Sequence, residues 1–401
     1  MKETLQWLWL SSLKGFGSVT MLKYLRAFNT VTELYDAAPR DLEQIEGATK
    51  AEIKALSDKS LKKAEEIAEE CRMREVRILP IDDPDYPTWL RTIYDPPCVL
   101  YVRGELPDLG RRIGIAVVGT RRASKYGLDC AARFASELAE AGAVVISGLA
   151  EGVDSAATSA AIKAKGTVIG VLGTGVDRAF PTWNAPLHRE TAQHGALVSE
   201  YPPGTPSTRG SFPARNRIIA GLSRGVLVIE APMKSGSLIT AARALEEGRD
   251  VFAVPGRIDD PNFRGSNALL RDGAVIALEP EDVIGFVNAS LPAELALTSR
   301  SEPHAEAGVS SPERQKASKK EVDKPEGLEY IDLKEKLGVF SDSESRVLAA
   351  LNGGRKSAAE LSAELEMQMQ DVLAALTMLE IGGYVLSGDD NRYGPTSREM
   401  L

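Results

Sequence analysis

Residues 211–242 read SFPARNRIIAGLSRGVLVIEAPMKSGSLITAA. The centre of this stretch, GVLVIEA (225–231), is a short, nearly unbroken apolar run, the pattern of a strand covered on both faces. A loop carrying Phe212, Arg215 and Arg217 is expected to run into a helix before that strand. Lys234, Ser235, Gly236 and Ser237 are expected to open the next helix after it. A strand flanked by two helices is the repeating unit of a parallel α/β sheet. The cations, the aromatic ring and the helix N-terminus gathered around it are what a phosphate chain with a base beside it needs.

Working outward, the same alternation fills residues 111–288. RIGIAVVG, AVVISGL, TVIGVLG, ALVSEY, DVFAVPG and AVIA read as further strands, with helices starting near Leu128, Asp154, Pro186, Asn216, Ser237 and Ser266. The fold class is therefore α/β: an extended Rossmann-like, doubly wound parallel sheet. Residues 1–75 show helical spacing interrupted at Gly15-Phe16-Gly17 and Gly47 and form a small all-α module of the helix-hairpin-helix or sterile-alpha-motif kind. Its last helix is expected to run unbroken through TKAEIKALSDKSLKKAEEIAEECRMRE, and Trp7 and Trp9 are assigned to its core. Residues 76–110 read as a connector with two strand-like runs, VRILPI and CVLYVRG, around prolines 84, 87, 96 and 97, which argue against a regular helix. Residues 289–340 have linker composition, with a short helix possible at 330–337. Residues 341–394 read as three helices and a hairpin, a winged helix, with Ser341 as N-cap, Gly353-Gly354 ending the first helix and Asp389-Asp390-Asn391 at the hairpin tip.

Composition excludes several classes. The 401 residues hold three cysteines and three histidines, too few and too scattered for a disulfide framework, a metal centre or a histidine-based triad. Neither a membrane span nor a signal peptide is legible, and the expected compartment is the cytoplasm. The net charge of −9 leaves nucleic acid open, because local charge on the binding face decides.

Ligands of an open parallel sheet bind beyond the carboxyl ends of its strands. The residues expected there are Gly119, Thr120, Arg121 and Ser124 after the first strand, Gly148 after the second, and Gly173 and Gly175 after the third. Phe212, Arg215, Asn216 and Arg217 follow the fourth, Lys234, Ser235, Gly236 and Ser237 the fifth, and Gly265 and Asn267 the sixth. Small residues let backbone N–H groups approach phosphate oxygens. Neither a GxGxxG nor a GxxxxGK[ST] fingerprint occurs, which argues against a dinucleotide cofactor and a P-loop nucleotide. Asp154 and Asp177 are assigned structural roles, and Glu230 is expected to orient Arg217. From Phe340 onward five basic residues face ten acidic ones, and the third helix of the winged helix (368–380) has no cation, which disfavours strong duplex binding by that module.

The stretches VVGTRRASKYG, ISGLAEGVDSAA, GVLGTGVDRAFPTWNAPL, VSEYPPGTP, FPARNRIIAGLSRGVLVIEAPMKSGSLITAARALEEGRDVFAVPG and GSNALLRDGA resemble the bacterial DNA processing protein A (DprA/Smf) family, in order and spacing from about residue 79 to 287. The resemblance implies a cytoplasmic, non-enzymatic single-stranded DNA-binding protein with no cofactor. It implies a homodimer formed through the Rossmann-like domain, which protects incoming strands in natural transformation and loads RecA recombinase in homologous recombination. It places Arg121 and the FPARNR loop at the DNA. The family often has His where this chain has Thr158 and Ser where it has Thr120. A nucleotide phosphoribohydrolase on a related fold is the alternative, although APMKSGSLITAA stands here in place of that class's PGGxGTxxE loop.

Overall fold

The computed structural model describes residues 2–290, 295–298, 342–351, 356–365, 367–381, 385–387 and 392–395. They fall into two compact units, Met1–Ala305 and Glu306–Leu401.

Six helices open the first unit: α1 (Lys2–Ser12), α2 (Ser18–Leu25), α3 (Val31–Asp36), α4 (Pro39–Glu43), α5 (Lys50–Ser57) and α6 (Lys62–Met73). The last two are one helix in the sequence reading. The chain breaks between them because the Asp58 carboxylate accepts from the Ser60 N–H at 3.1 Å, a local turn that competes with helix. The Asp58 carbonyl, freed from a helix ladder, takes the Trp9 indole N–H at 2.7 Å.

The sheet has nine strands: β1 (Arg77–Pro80), β2 (Val99–Gly104), β3 (Gly114–Val118), β4 (Val144–Ser147), β5 (Val168–Leu172), β6 (Gly195–Ser199), β7 (Gly225–Val228), β8 (Asp250–Ala253) and β9 (Val275–Ile276). Their order is β1-β2-β6-β5-β4-β3-β7-β8-β9. All seven strands expected in 111–288 are present, and they pair in parallel. The segment 76–110 is more than a connector, since its two runs pair antiparallel with each other and the second of them pairs antiparallel with β6, which extends the sheet. It also holds a one-turn helix, α7 (Thr88–Arg91), which follows directly on Pro87, where a missing N–H costs nothing.

The crossover helices are α8 (Lys125–Glu140), α9 (Val153–Lys163), α10 (Ala185–Gln193), α11 (Ser211–Leu222), α12 (Gly236–Glu246) and α13 (Arg264–Arg271), and α14 (Pro280–Asn288) follows the last strand. Along β3, Ile115 and Val117 enter one buried cluster and Ala116 and Val118 the other, so both faces of the sheet are covered. The first cluster runs without interruption from Trp7, Trp9 and Tyr24 to Val117 and Phe134. The N-terminal helices therefore share a core with the sheet. Trp7 reinforces the junction by donating its indole N–H to Asp82 at 3.0 Å.

The second unit contains helices Asp342–Leu351, Ala358–Leu365 and Met369–Ile381 and a three-stranded antiparallel sheet of Lys356–Ser357, Arg392–Pro395 and Val385–Ser387. Val347, Leu361, Val372, Leu376 and Val385 build its core, and its elements follow one another as helix, strand, helix, helix, strand, strand. Lys356 pairs with Glu364 at 2.6 Å and Arg392 with Glu360 at 2.7 Å, so two of its cations are already neutralised. The expectations for Ser341, Gly353-Gly354, 330–337 and the hairpin tip at 389–391 lie outside the described residues.

Just past α12, the Glu247 Oε2 is buried with no hydrogen-bond partner among the described residues. Burial pushes its carboxyl up to about 7, against the opposing pull of Arg249. The folded chain thus holds this proton more tightly than the unfolded chain does. The contribution to stability is full below the unfolded value of 4.5 and is lost as pH rises through about 7. Glu247→Gln is expected to gain stability relative to the parent chain as pH goes from about 5 to about 8. Melting curves at both values check this, and an equal difference at both would refute it.

Candidate nucleic-acid interface

From β3 the chain winds outward through β4, β5 and β6, then returns past β3 through α11 to β7. Strand order reverses between β3 and β7, which opens a crevice beyond their carboxyl ends. The Thr120 N–H donates to the Glu230 carbonyl at 2.7 Å and closes the floor of this crevice. Ser124 caps α8 by accepting from the Gly127 N–H, and donates its own hydroxyl to Glu230 Oε2 at 2.7 Å. Its N–H also points at that carboxylate, at 3.0 Å. Glu230 is therefore engaged by Ser124 and does not orient Arg217, contrary to the sequence reading.

A cleft of about 740 Å³ occupies the crevice, walled by the loop after β3, the first half of α11 and the opening of α12. Gly119, Thr120, Arg121, Phe212, Arg215, Asn216 and the run Lys234–Ser237 all reach its lining. Arg121, Arg122, Arg209 and Lys234 are exposed on it and form no ion pair among the described residues. The acidic member of the lining is Asp154, which is buried. A chain of net charge −9 thus presents a cationic surface here. Ser235 caps α12, and Asn216 donates to the Gly236 carbonyl at 3.1 Å, fixing that end against α11.

Phe212 is half-buried, its ring 5.1 Å from Phe180 and tilted 41° to it. The Arg121 guanidinium stands 5.5 Å above the same ring, a cation–π contact that orients both. Gly173 lies beneath; a Cβ there would come within 3.1 Å of the Phe212 ring, so a small residue lets α11 approach the sheet.

The helix containing these groups begins at Ser211, five residues before the expected start near Asn216, and this changes the role of both arginines. Arg215 is buried beneath the cleft and donates to the carbonyls of Val171 and of Gly148, the latter at 2.9 Å. Burial pulls its guanidinium down to about 10, while Asp154 acts to keep it charged. Burial likewise raises the Asp154 carboxyl, and Arg215 and the Gly148 N–H at 3.0 Å counter that effect. A Cβ on Gly148 would sit 2.6 Å from the Arg215 guanidinium and 2.7 Å from the Asp154 carboxylate, so only glycine admits the two side chains together.

Arg217 is withdrawn from the cleft altogether. It pairs with Glu200 at 2.7 Å and Asp95 at 3.1 Å, and donates to the Ser18 hydroxyl at 3.2 Å. Burial opposes its charge, but the two carboxylates outweigh that and hold its pKa above the ordinary value. Four further expected residues are braces outside the lining of this cleft. Gly148 frames Arg215 as described. Gly175 packs against Asp177, whose carboxylate accepts from the Gly204 N–H at 2.9 Å. The Gly265 N–H donates to the Ala231 carbonyl at 2.7 Å. The Asn267 amide closes on the backbone of Gly256 at 3.0 and 3.1 Å. Arg122, Arg209 and Phe180 were not singled out from the sequence; the first neighbours Arg121, and the other two lie on loops following strands that had been identified.

These features define a doubly wound α/β protein with a cationic, aromatic-lined cleft at its switch point. The chain belongs to the family described as DNA recombination-mediator protein A, whose sequence model matches residues 77–288, from β1 to α14. It is 44% identical over 212 residues to the DNA processing protein DprA of Bacillus subtilis, covering 53% of this chain and 71% of that one. It is 38% identical over 291 residues to Protein Smf of Synechocystis, covering 72% and 73%. The X-ray structure of DNA processing protein A from Streptococcus pneumoniae superposes with a TM-score of 0.58 at 35% identity, covering 67% of this chain and 98% of that one. The family resemblance and the α/β fold read from the sequence are both borne out.

Arg217→Ala would strand Glu200 and Asp95. The expected loss of stability is about 3 kcal/mol, the low end for orphaning a buried ion pair because both carboxylates keep some contact with water. Chemical denaturation measures it, and a loss within experimental error would remove the structural role assigned to this side chain.

Proposed function

We propose that this chain binds single-stranded DNA in the cleft with little dependence on sequence, protects incoming strands during natural transformation, and loads RecA recombinase onto them in homologous recombination. It acts as a cytoplasmic homodimer and not as an enzyme. One observation carries the binding reading: four exposed cations, Arg121, Arg122, Arg209 and Lys234, form no ion pair among the described residues and surround the Phe180–Phe212 pair at the switch point of an acidic protein. Cations that follow the backbone and rings on which bases stack are how sequence-tolerant single-strand binders work. The carboxylates of Asp154 and Glu230 are committed to the backbone and hydroxyl groups of the loops, which favours binding over cleavage of a glycosidic bond. Family membership supports the recombinase, the dimer and the setting in transformation.

Fluorescence anisotropy with labelled oligothymidylate across a salt series tests the site. Arg121→Ala and Lys234→Ala are each expected to weaken binding and to lower the slope of log affinity against log salt by about 0.7, the value for one lost phosphate contact on a single strand. Slopes equal to that of the parent chain would sink the assignment.

A further inference from the structure

The N-terminal helices carry a hollow of about 840 Å³ that the functional reading does not use. It lies between the end of α1, α5 and the start of α6, and Lys14, Lys54, Lys62 and Lys63 line it. All four lysines are exposed, and none forms an ion pair among the described residues. Two carboxylates share the lining, Asp58 and Glu66. Asp58 is turned to the Ser60 N–H at 3.1 Å, and Glu66 pairs with no cation among the described residues. The lining is therefore cationic on a chain of net charge −9.

The placement of these lysines works against the local helix. Lys62 and Lys63 are the first two residues of α6, where positive charge opposes the helix dipole, and no side chain caps that end. Glu65, the acidic residue of the same first turn, lies outside the lining. An arrangement that costs the helix stability makes sense where an anion completes it. The site is also held in shape. Lys63 donates to the Ser12 carbonyl at 3.1 Å, which ties the start of α6 to the end of α1, and the Trp9 indole N–H fixes the Asp58 carbonyl at 2.7 Å. Trp9 itself is buried, so the lining offers charge and no exposed ring. Lysines are compact point charges on flexible stems, which suits single phosphate oxygens without selecting a base.

We propose that this hollow is a second nucleic-acid contact, which takes the phosphates of a single DNA strand beyond the cleft and leaves its bases in solvent. The inference rests on the single-strand reading of the cleft. Its position allows one strand to serve both. Lys14 and Ser18 are joined by about 14 Å of chain at most. Ser18 meets Arg217 and Glu200, and Glu200 directly follows β6, at the edge of the sheet on which the cleft opens. Arg217 belongs to α11, the helix that carries Phe212. The two cationic surfaces thus flank the same carboxyl edge, the cleft with rings for stacking and the hollow with charge alone. A strand that only fills the cleft is held there, and a longer one gains the lysines, with a steeper dependence on salt.

The test uses the full chain with oligothymidylates of ~8 and ~40 nucleotides, the first on the scale of one single-strand site and the second long enough to run past it. Joint replacement of three exposed lysines, Lys14→Ala, Lys54→Ala and Lys62→Ala, is expected to weaken binding of the long strand ~10-fold and to lower its salt slope by about 2, while the short strand binds as before. Acetylation of lysines read by mass spectrometry locates the contact without any substitution. Lys14, Lys54 and Lys62 are expected to react more slowly with the long strand bound and at an unchanged rate with the short one. Lys165, exposed just before β5 at the opposite edge of the sheet, is the internal control. Long-strand binding that is equal in the variant, or lysines that stay equally reactive under the bound strand, would overturn the hollow and leave the cleft standing. An equal loss on both strands would overturn it as a separate contact. Protection by polyglutamate as strong as that by the long strand would overturn nucleic acid as its ligand. Failure of the parent chain to bind either strand would overturn the hollow and the reading of the cleft together.

Discussion

A guanidinium with almost no access to water organises this cleft. Arg215 ties the carboxyl ends of β4 and β5 together through the carbonyls of Gly148 and Val171, and it shares its buried space with Asp154. Neither charge would be stable there alone, since an unpaired buried ion costs several kcal/mol. Together they fix three loops: Asp154 takes backbone N–H groups from Gly119, Gly148 and Ala150, while Arg215 takes carbonyls. The loop bearing Arg121, the loop bearing Glu151 and the first turns of α11 bearing Phe212 are thereby set relative to one another. The binding surface can be polar and exposed because its foundation is a compensated pair beneath it.

The strands were legible because a sheet covered on both faces requires near-continuous apolar runs, and such runs stand out from amphipathic helices. The role of the arginines was not legible, because a buried structural cation and a ligand-binding one are the same letter. One signal was available in FPARNR. Proline is tolerated in the first turn of a helix, so Pro213 does not exclude a start at Ser211. Once those residues are helical, Arg215 and Arg217 lie about 200° apart around the axis. They cannot both face the cleft, and one of them must serve the opposite side.

That opposite side explains why the N-terminal helices and residues 76–110 looked separable. Local periodicity reports which face of an element is apolar, not which partner covers it. Here Arg217 joins Ser18 at the start of α2, Asp95 in the segment between β1 and β2, and Glu200 after β6. Three stretches far apart in sequence converge on one guanidinium, and Trp7 makes a similar long-range junction to Asp82. Contacts of this kind leave no periodic trace. The match of the family model from residue 77 agrees with the sheet beginning at β1.

An acidic chain can hold a polyanion when its negative charge is kept off the binding face and its cations there are left unpaired. Most of the chain's other arginines and several of its lysines are spent on partners, as in the pairs of Arg133 with Glu137 and Arg257 with Asp259. Arg121, Arg122, Arg209 and Lys234 form no ion pair among the described residues. Screening acts on those exposed charges and spares the buried pair, because charges removed from solvent lie beyond the reach of counterions. On the proposed function, salt would weaken the hold on the phosphates without loosening the loops that shape the cleft. Stacking against Phe212 and Phe180, on the same proposal, is apolar and would persist where the electrostatic part fades. The Phe180–Phe212 pair beside these cations would let one surface treat the backbone and the bases of a strand by different physics.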